Sequence, residues 1–146
     1  MKFIHPVLVV CLMAGFSASV LAQADVIAER KALMRANGAA AKTASDMIGG
    51  AQPFDATAAA QSARTIAEDM DRFPTLFPEG SDLGDTSASP AIWEKMEEFK
   101  ALAAKAAQDA KAAEAAAAQG LDAFKTAFAA VGGSCQSCHG AFRVRR

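Results

Sequence analysis

The sequence predicts an all-α protein, folded as an antiparallel up-down-up-down four-helix bundle. No segment shows the strict alternation of apolar and polar residues that a half-buried strand requires. Breaks rich in glycine and proline divide the chain beyond its first 22 residues into four long segments, and each segment has one apolar stripe at helical spacing. Packing the four stripes against one another buries them in a single core, which is the architecture of a four-helix bundle.

Capping and breaking residues set the predicted helix boundaries. Gly49 and Gly50 end the first helix. Asp55 is the predicted N-cap of the second helix, which stops just ahead of a proline. Ser89 caps the third helix, with Pro90 at its first position. The four predicted helices cover residues 24–48, 55–73, 90–119 and 121–145, and a long loop over 74–90 leads to the cap and first residue of the third helix.

The N-terminal residues 1–22 are predicted to form a cleaved signal peptide. Lys2 gives a positive start, residues 7–16 form an apolar run, and small residues lead up to the cleavage position after Ala22. A membrane anchor is the alternative, but the apolar run is shorter than the ~20 residues that span a bilayer, and no positive flank follows it. The sequence therefore predicts a periplasmic protein whose mature chain, residues 23–146, is one domain without membrane insertion.

The charge balance excludes two classes of partner. The chain has 15 basic and 16 acidic residues, and the predicted cleavage removes one base and no acid. Nucleic acids and anionic membrane surfaces are bound by basic patches, so neither is predicted as a partner. Cleavage also removes Cys11 and His5, which leaves Cys135, Cys138 and His139 as the only cysteines and histidine of the mature chain.

These three residues form the motif Cys135-Gln-Ser-Cys138-His139, the C-x-x-C-H pattern of covalent haem attachment. Cysteines three positions apart on a helix lie on one side, so that both thiols can bond to the two vinyl groups of one porphyrin. The next residue is rotated by about 100°, which lets the imidazole of His139 bind the iron from the proximal side. The sequence predicts one covalently bound haem c, held by Cys135 and Cys138, with His139 as an axial ligand of its iron.

Three other chemistries use similar residues. A structural disulfide suits an exported protein, but it would close a very small loop and needs no histidine. A thioredoxin-like dithiol lies beside a βαβ pattern, and no strand is predicted here. A zinc site needs about four ligands, whereas the mature chain offers two cysteines and one histidine. Haem attachment is the better interpretation, and a dithiol oxidoreductase stands only if no haem is bound.

The second axial position of the iron has methionine, lysine or no ligand as its candidates, because His139 is the only mature histidine. In the predicted bundle the start of the first helix lies beside the end of the fourth. Met34 is ~14 Å from the start of the first helix, and His139 is ~9 Å from the end of the fourth, at 1.5 Å per residue. Met47 is then out of reach, and Met70 and Met96 lie on other helices. Met34 is the predicted ligand, and a methionine that only packs in the core is the alternative.

Two arginines lie one helical turn from the predicted ligands. Arg30 precedes Met34 by four residues and is a candidate to pair with a haem propionate. A solvated helix charge is the equal alternative. Arg143 follows His139 by four residues and is a candidate to cover the proximal imidazole. Its equal alternative is a cation that complements the C-terminal end of a helix.

Together these features resemble the class II c-type cytochromes, the family of cytochrome c′ and of the low-spin cytochrome c-556. In this family a methionine at the position of Met34 implies a six-coordinate, low-spin iron, whereas a non-ligating residue leaves it five-coordinate and able to bind small gases. The resemblance also implies monomers or homodimers. It covers nearly all of the mature chain and rests on four segments: Cys135 to Arg143, Arg30-Lys-Ala-Leu-Met34, Pro90-Ala-Ile-Trp93 and Gly132-Gly133.

The sequence thus predicts a periplasmic electron-transfer haem protein of the c-556 type, with His139 and Met34 as axial ligands. Such a protein exchanges electrons with redox partner proteins and is not an enzyme. The alternative is a five-coordinate, high-spin cytochrome c′ that binds or scavenges NO or CO, with Met34 only packing beside the haem. The two functions differ in one feature, which is whether Met34 occupies the axial position.

Overall fold

The computed structural model describes the backbone of residues 10–144 and the side chains of residues 26–144. Within the described backbone there is no β-strand, and only one isolated antiparallel bridge, between Ala88 and Arg143, is formed. The predicted all-α class is confirmed. In chain order the helices are α1 (Val10–Ile48), α2 (Ala56–Arg72), α3 (Ala91–Glu94), α4 (Met96–Ala117) and α5 (Leu121–Phe142), with a 3-10 helix over Phe73–Leu76.

The four long helices, α1, α2, α4 and α5, form the bundle. Helix α2 packs along α1 and α4, and α4 packs along α5, whereas α1 and α5 make few contacts with each other. Helices α1 and α2 run in opposite directions, as two contacts show. Arg72 pairs with Glu29 at one end, and the Asp55 amide lies 3.5 Å from the Met47 sulfur at the other. The predicted four-helix bundle is confirmed.

The core has an alanine-rich half and an aromatic half. The alanine-rich cluster joins α1, α2, α4 and α5, and its alanines Ala59, Ala63, Ala110, Ala113 and Ala117 are fully buried. The small side chains allow these helices to approach closely, but each of them buries little apolar area. The aromatic cluster lies at the other end of the bundle, where rings supply most of the buried surface. Its buried members are Leu33, Phe73, Leu76, Phe77, Ile92, Phe99 and Phe142.

Two of the predicted boundaries in the third and fourth helices are wrong. The third helix is not continuous, because Lys95 leaves helical geometry (φ −129°, ψ 45°) and separates α3 from α4. The fourth helix ends at Phe142, and Arg143 is extended (φ −118°, ψ 125°) because its backbone pairs with Ala88. The N-cap of the second helix is confirmed, since the Asp55 carboxylate accepts a hydrogen bond of 2.8 Å from the Ala58 amide.

Helix α1 begins earlier than predicted. It is described from Val10, so it includes part of the predicted signal peptide as well as the segment 24–48. The start of that peptide, residues 1–9, lies outside the described residues, and its cleavage stays a prediction. Among the described residues, no helix combines the length and the apolar character needed to cross a membrane.

Candidate haem-binding site

The residues of the C-x-x-C-H motif lie in the last two turns of α5. Cys135 and Cys138 are half-buried, and His139 is exposed. Cys135 packs against the alanine-rich cluster, whereas Cys138 packs against the aromatic cluster. Both thiols are free. The two thiols therefore lie on the inner side of α5, at the level where the two halves of the core meet.

Helix α1 brings Met34 to the same level of the bundle. Met34 is half-buried and, like Cys138, packs against the aromatic cluster. Two turns further along α1, Ala41 packs against the alanine-rich cluster, as Cys135 does. We call this region, with Met34 and Ala41 on α1 and with Cys135 and Cys138 on α5, the α1–α5 face. This region contains the predicted haem attachment residues and the predicted second ligand, which pack against the same two clusters from different helices.

The titration of the two thiols argues against a redox-active dithiol. Burial raises the pKa of Cys135, and burial together with the neighbouring Cys135 raises the pKa of Cys138. Catalytic dithiols instead need a thiolate whose pKa is lowered by a helix N-terminus or a nearby cation. The motif lies at the C-terminal end of α5, where the helix dipole disfavours an anion. The surroundings therefore do not favour the thiolate that disulfide exchange requires.

The surroundings of His139 favour the neutral form of its imidazole. Partial desolvation by the protein lowers the pKa of His139, and the positive charge of Arg143 lowers it further. A neutral imidazole is the form that binds iron. Arg143 thus acts electrostatically on the predicted proximal ligand, although its role as a cover for the imidazole stays a prediction.

The end of α5 is anchored by its backbone and by one ring. The Ser89 amide donates to the Phe142 carbonyl, and the Val144 amide donates to the Ser87 carbonyl, both at 2.9 Å. The Phe142 ring meets Phe99 edge to face, with centroids 5.4 Å apart. These contacts fix the rotation of α5 about its axis, and with it the direction of the motif.

Arg30 is buried, and its guanidinium is bound by the segment that follows α2. Nε donates to the Leu76 carbonyl at 2.7 Å, Nη1 donates to the Ser81 carbonyl at 2.8 Å, and Nη2 donates to the Ser81 hydroxyl. The guanidinium carbon lies 4.0 Å from the centroid of the Phe77 ring and 5.5 Å from that of Trp93. Arg30 therefore joins α1 to the aromatic cluster.

This placement bears on the predicted propionate contact of Arg30. Burial lowers the pKa of Arg30 to about 10, and the nearby Asp82 partly offsets that effect. Three of its five N–H groups are used by Leu76 and Ser81. A solvated helix charge, the alternative from sequence, is wrong because only 4% of the residue is exposed. The propionate contact stays a prediction that depends on the two remaining donors.

Sequence reasoning missed a polar contact beside the motif. Ser134 is 5% exposed and donates its hydroxyl to Asp109 on α4. Lys105 also pairs with Asp109, at 2.9 Å. Burial raises the pKa of Asp109, but the hydrogen bonds from Ser134 and Lys105 and the charge of Lys105 outweigh it, so the pKa lies below its usual value. A serine directly before Cys135, on the inner side of α5, was the available signal.

No alternative metal site is evident in the described part of the chain. Across these residues, no group of three or more His, Cys, Asp or Glu side chains is close enough together to hold a metal ion. The zinc alternative therefore lacks a ligand set in this region. A haem needs only His139 as an iron ligand, together with the thiols of Cys135 and Cys138 for attachment.

A four-helix bundle with C-x-x-C-H at the end of its last helix defines the class II c-type cytochromes. Comparison with known proteins agrees: the sequence profile of the cytochrome c′ family matches residues 25–143. The chain belongs to the cytochrome c′ family. Its cofactor is accordingly one covalently attached haem c with its iron, and the chain is a haem protein of an electron-transfer and gas-binding family.

Both subtypes of the family occur among the relatives. Cytochrome c′ of Rhodopseudomonas palustris is 39% identical, over 94% of this chain and 92% of that protein. Cytochrome c-556 of Agrobacterium fabrum is 35% identical, over 93% of this chain and 90% of that protein. The solved structure of the R. palustris cytochrome c′ superposes with a TM-score of 0.79 and covers 84% of this chain and 98% of that one.

A third comparison concerns a bound ligand. The nitric oxide complex of a mutant cytochrome c′ from Alcaligenes xylosoxidans superposes with a TM-score of 0.76 at 25% identity, over 84% of this chain and 97% of that one. The ligand in that structure is nitric oxide.

Proposed function

We propose that Cys135 and Cys138 hold the haem through two thioether bonds and that His139 is an axial ligand of the iron. The support is the half-buried position of both thiols on the α1–α5 face and the lowered pKa of His139 beside them, which favours the imidazole form that binds iron. The small number of contacts between α1 and α5 suits a flat macrocycle between these helices. When bound, the haem supplies one-electron chemistry at its iron and an axial position for a small ligand.

We further propose that the protein binds a small gas, as a cytochrome c′ with Met34 packed beside the haem. One observation carries this proposal: the relative with 39% identity over nearly the whole chain is named cytochrome c′. The nitric oxide complex of another relative gives the ligand class. Met34 packs against an apolar cluster, and a packing role therefore accounts for its position without a bond to iron.

The second candidate is a low-spin electron carrier of the c-556 type, in which Met34 binds the iron opposite His139. Its specific support is that Met34 lies on the α1–α5 face at the level of Cys138, together with the c-556 relative at 35% identity. A thioether opposite an imidazole stabilises ferrous iron and suits electron transfer. In this case the partners are redox proteins, and the protein does not bind a gas because Met34 occupies the axial position.

Absorption spectra of the purified protein decide between the two. A high-spin ferric spectrum, with ferrous bands that shift when CO is added, supports the gas-binding function. Low-spin bands that CO leaves unchanged support the electron carrier, and Met34→Ala then converts them to the high-spin type. Met70→Ala is the matched control, because Met70 is a half-buried methionine that packs against both clusters from α2. A Met34→Ala spectrum identical to that of a low-spin parent would contradict ligation by Met34.

The remaining roles extend this proposal. We propose that residues 1–22 direct export to the periplasm and are cleaved, which N-terminal sequencing of the mature protein tests. Arg143 is proposed to lie over the proximal imidazole, and Arg30 to reach a propionate with its unused donors. A homodimer is also proposed, since one cytochrome c′ at 26% identity is described by its ligand-controlled dimer dissociation. Sedimentation with and without CO tests that step.

A further inference from the structure

Asn37 is the polar residue of α1 that lies within the α1–α5 face. It follows Met34 by three residues and precedes Ala41 by four, and on a helix both spacings place side chains on one side. Met34 packs with the cluster of Cys138, and Ala41 packs with the cluster of Cys135. Asn37 therefore lies between two residues that flank the proposed haem site.

Asn37 is half-buried, and one atom of its amide is shielded from solvent without a hydrogen bond. Oδ1 is buried and has no partner, a state that Asp69 Oδ2 shares among the described side chains. Buried polar atoms in folded proteins are almost always hydrogen-bonded, so each exception requires a physical reason. Burial and the neighbouring Glu68 raise the pKa of Asp69, which favours its neutral form and lowers the cost of burying its unpartnered oxygen. The Asn37 amide does not titrate, so its unpartnered oxygen needs another explanation.

Other polar side chains near the predicted second ligand already have partners. Arg30 donates to Leu76 and Ser81, and Lys31 pairs with Asp85. On the opposite side of the face, the Ser134 hydroxyl is bound to a carboxylate of α4. Among the described side chains of this face, Asn37 is thus the one with a buried polar atom, Oδ1, that has no hydrogen-bond partner.

We infer that the amide of Asn37 is the hydrogen-bonding group for a small ligand bound to the iron opposite His139. This inference rests on the proposed haem site. A half-turn of the amide exchanges Oδ1 and Nδ2 at nearly the same position, so the inner atom becomes an N–H donor when an acceptor is present. The ligand class is a diatomic gas with an electron-rich outer atom. Asn37 then stabilises the bound gas and slows its release, beside Met34 and the apolar aromatic cluster.

The test is the C–O stretching frequency of the ferrous carbonyl, measured by infrared spectroscopy on the haem-loaded protein. A hydrogen-bond donor to the ligand increases the donation of electrons from the iron into the antibonding π* orbital of CO, which weakens the C–O bond and lowers that frequency. All chains carry Met34→Ala, so that CO binds whether or not Met34 is a ligand in the parent. Asn37→Leu removes the amide at similar volume, and Asn37→Ala repeats the removal with a small side chain. Gln108→Leu makes the matched change at an exposed position of α4.

We expect the stretching frequency to rise in both Asn37 variants and CO to dissociate several-fold faster, with both quantities unchanged in Gln108→Leu. A frequency that stays the same in both Asn37 variants, in chains that keep the covalent haem, overturns the role of Asn37 and leaves the proposed function intact. A purified protein with the mass of the bare polypeptide overturns the proposed function, and the inference with it.

Discussion

Replacing Arg30 by methionine is expected to loosen the contact between α1 and the segment after α2. Methionine keeps an unbranched apolar stem of similar length but has no donor. The change leaves the Leu76 and Ser81 carbonyls, which accept at 2.7 and 2.8 Å in the parent, without their buried partner. It also removes the guanidinium from the face of Phe77, 4.0 Å from the ring centroid.

The magnitude follows from these contacts. Each buried acceptor left without a partner costs about 1–3 kcal/mol, and two carbonyls lose theirs. The Ser81 hydroxyl adds little, because it still donates to the Pro78 carbonyl at 2.7 Å. The lost cation–π contact adds about 1 kcal/mol, whereas the guanidinium no longer has to be desolvated, which offsets part of the loss. The expected decrease in the free energy of unfolding is about 3 kcal/mol.

Urea unfolding of the haem-loaded protein, followed by far-ultraviolet circular dichroism, measures this decrease. With slopes of about 1–3 kcal/mol per molar urea, the midpoint falls by about 1–3 M. Lys31→Met is the control, since Lys31 is the next residue and its ion pair with Asp85 is largely exposed. Such a pair contributes about 0–1 kcal/mol. Equal midpoints for the two variants would refute the argument that Arg30 holds this segment to α1.

Three further changes test other parts of the structure by the same unfolding measurement. Ser134→Ala lowers the free energy of unfolding by about 2 kcal/mol near pH 7, because a buried hydrogen bond to a charged group is lost. Asp109 has a lowered pKa in the folded state, so the stability it contributes is present above its unfolded pKa of about 4 and is lost as the pH falls through the lower folded value. The difference between the two proteins therefore shrinks below about pH 4, while Ser137→Ala, whose exposed hydroxyl bonds only to its own helix, changes little at any pH. A constant difference down to pH 2 contradicts this account. Phe99→Ala costs about 3–5 kcal/mol, since the ring is 1% exposed and contacts three other phenylalanine rings; a loss below 1 kcal/mol is inconsistent with that packing. Gly120→Ala costs about 1–3 kcal/mol because its φ of 101° and ψ of 177° are accessible only to glycine, and an unchanged midpoint shows that the turn before α5 relaxes freely.

The local features of the fold could be predicted because local sequence determines them. Asp55 caps α2 with its own side chain, as the residue order indicates. Ala110, Ala113 and Ala117 are all fully buried, as their spacing on α4 requires. Helical periodicity and caps act within about one turn of the chain, and the sequence displays them directly. The spacing of the C-x-x-C-H motif belongs to the same kind of local information.

Features that depend on distant contacts could not be predicted in this way. Arg30 binds residues 46 and 51 positions away, and Ser134 binds a carboxylate 25 positions away. No helical spacing relates these pairs. The break at Lys95 was also missed, because no glycine or proline lies between Ala91 and Ala117, and periodicity alone predicts one continuous helix there. The start of α3 is one residue later than predicted, since Pro90 rather than Ser89 is its N-cap. The sequence identifies residues with unusual chemistry, but the partners of these residues depend on how the helices pack in the folded protein.

The weak contact between α1 and α5 leads to a last prediction, on the removal of the haem. The alanine-rich cluster buries little area per residue, and the side chains of the α1–α5 face pack mainly against the other helices. A large apolar ring between α1 and α5 contributes about 5 kcal/mol for each ~200 Å² that it buries, which is comparable with the entire stability of a domain.

We therefore expect the double variant Cys135→Ala/Cys138→Ala to lose most of its helical dichroism and its cooperative urea transition. Cys135→Ala alone keeps one thioether and the His139 ligand, and it should remain folded with haem attached. Absorption in the Soret region shows whether any haem stays bound without a covalent link. The contrary result is a haem-free double variant with an unfolding midpoint within about 0.5 M urea of the parent and a transition of ordinary slope. In that case the four helices would be stable without the cofactor, and the α1–α5 face would not require a haem between its helices.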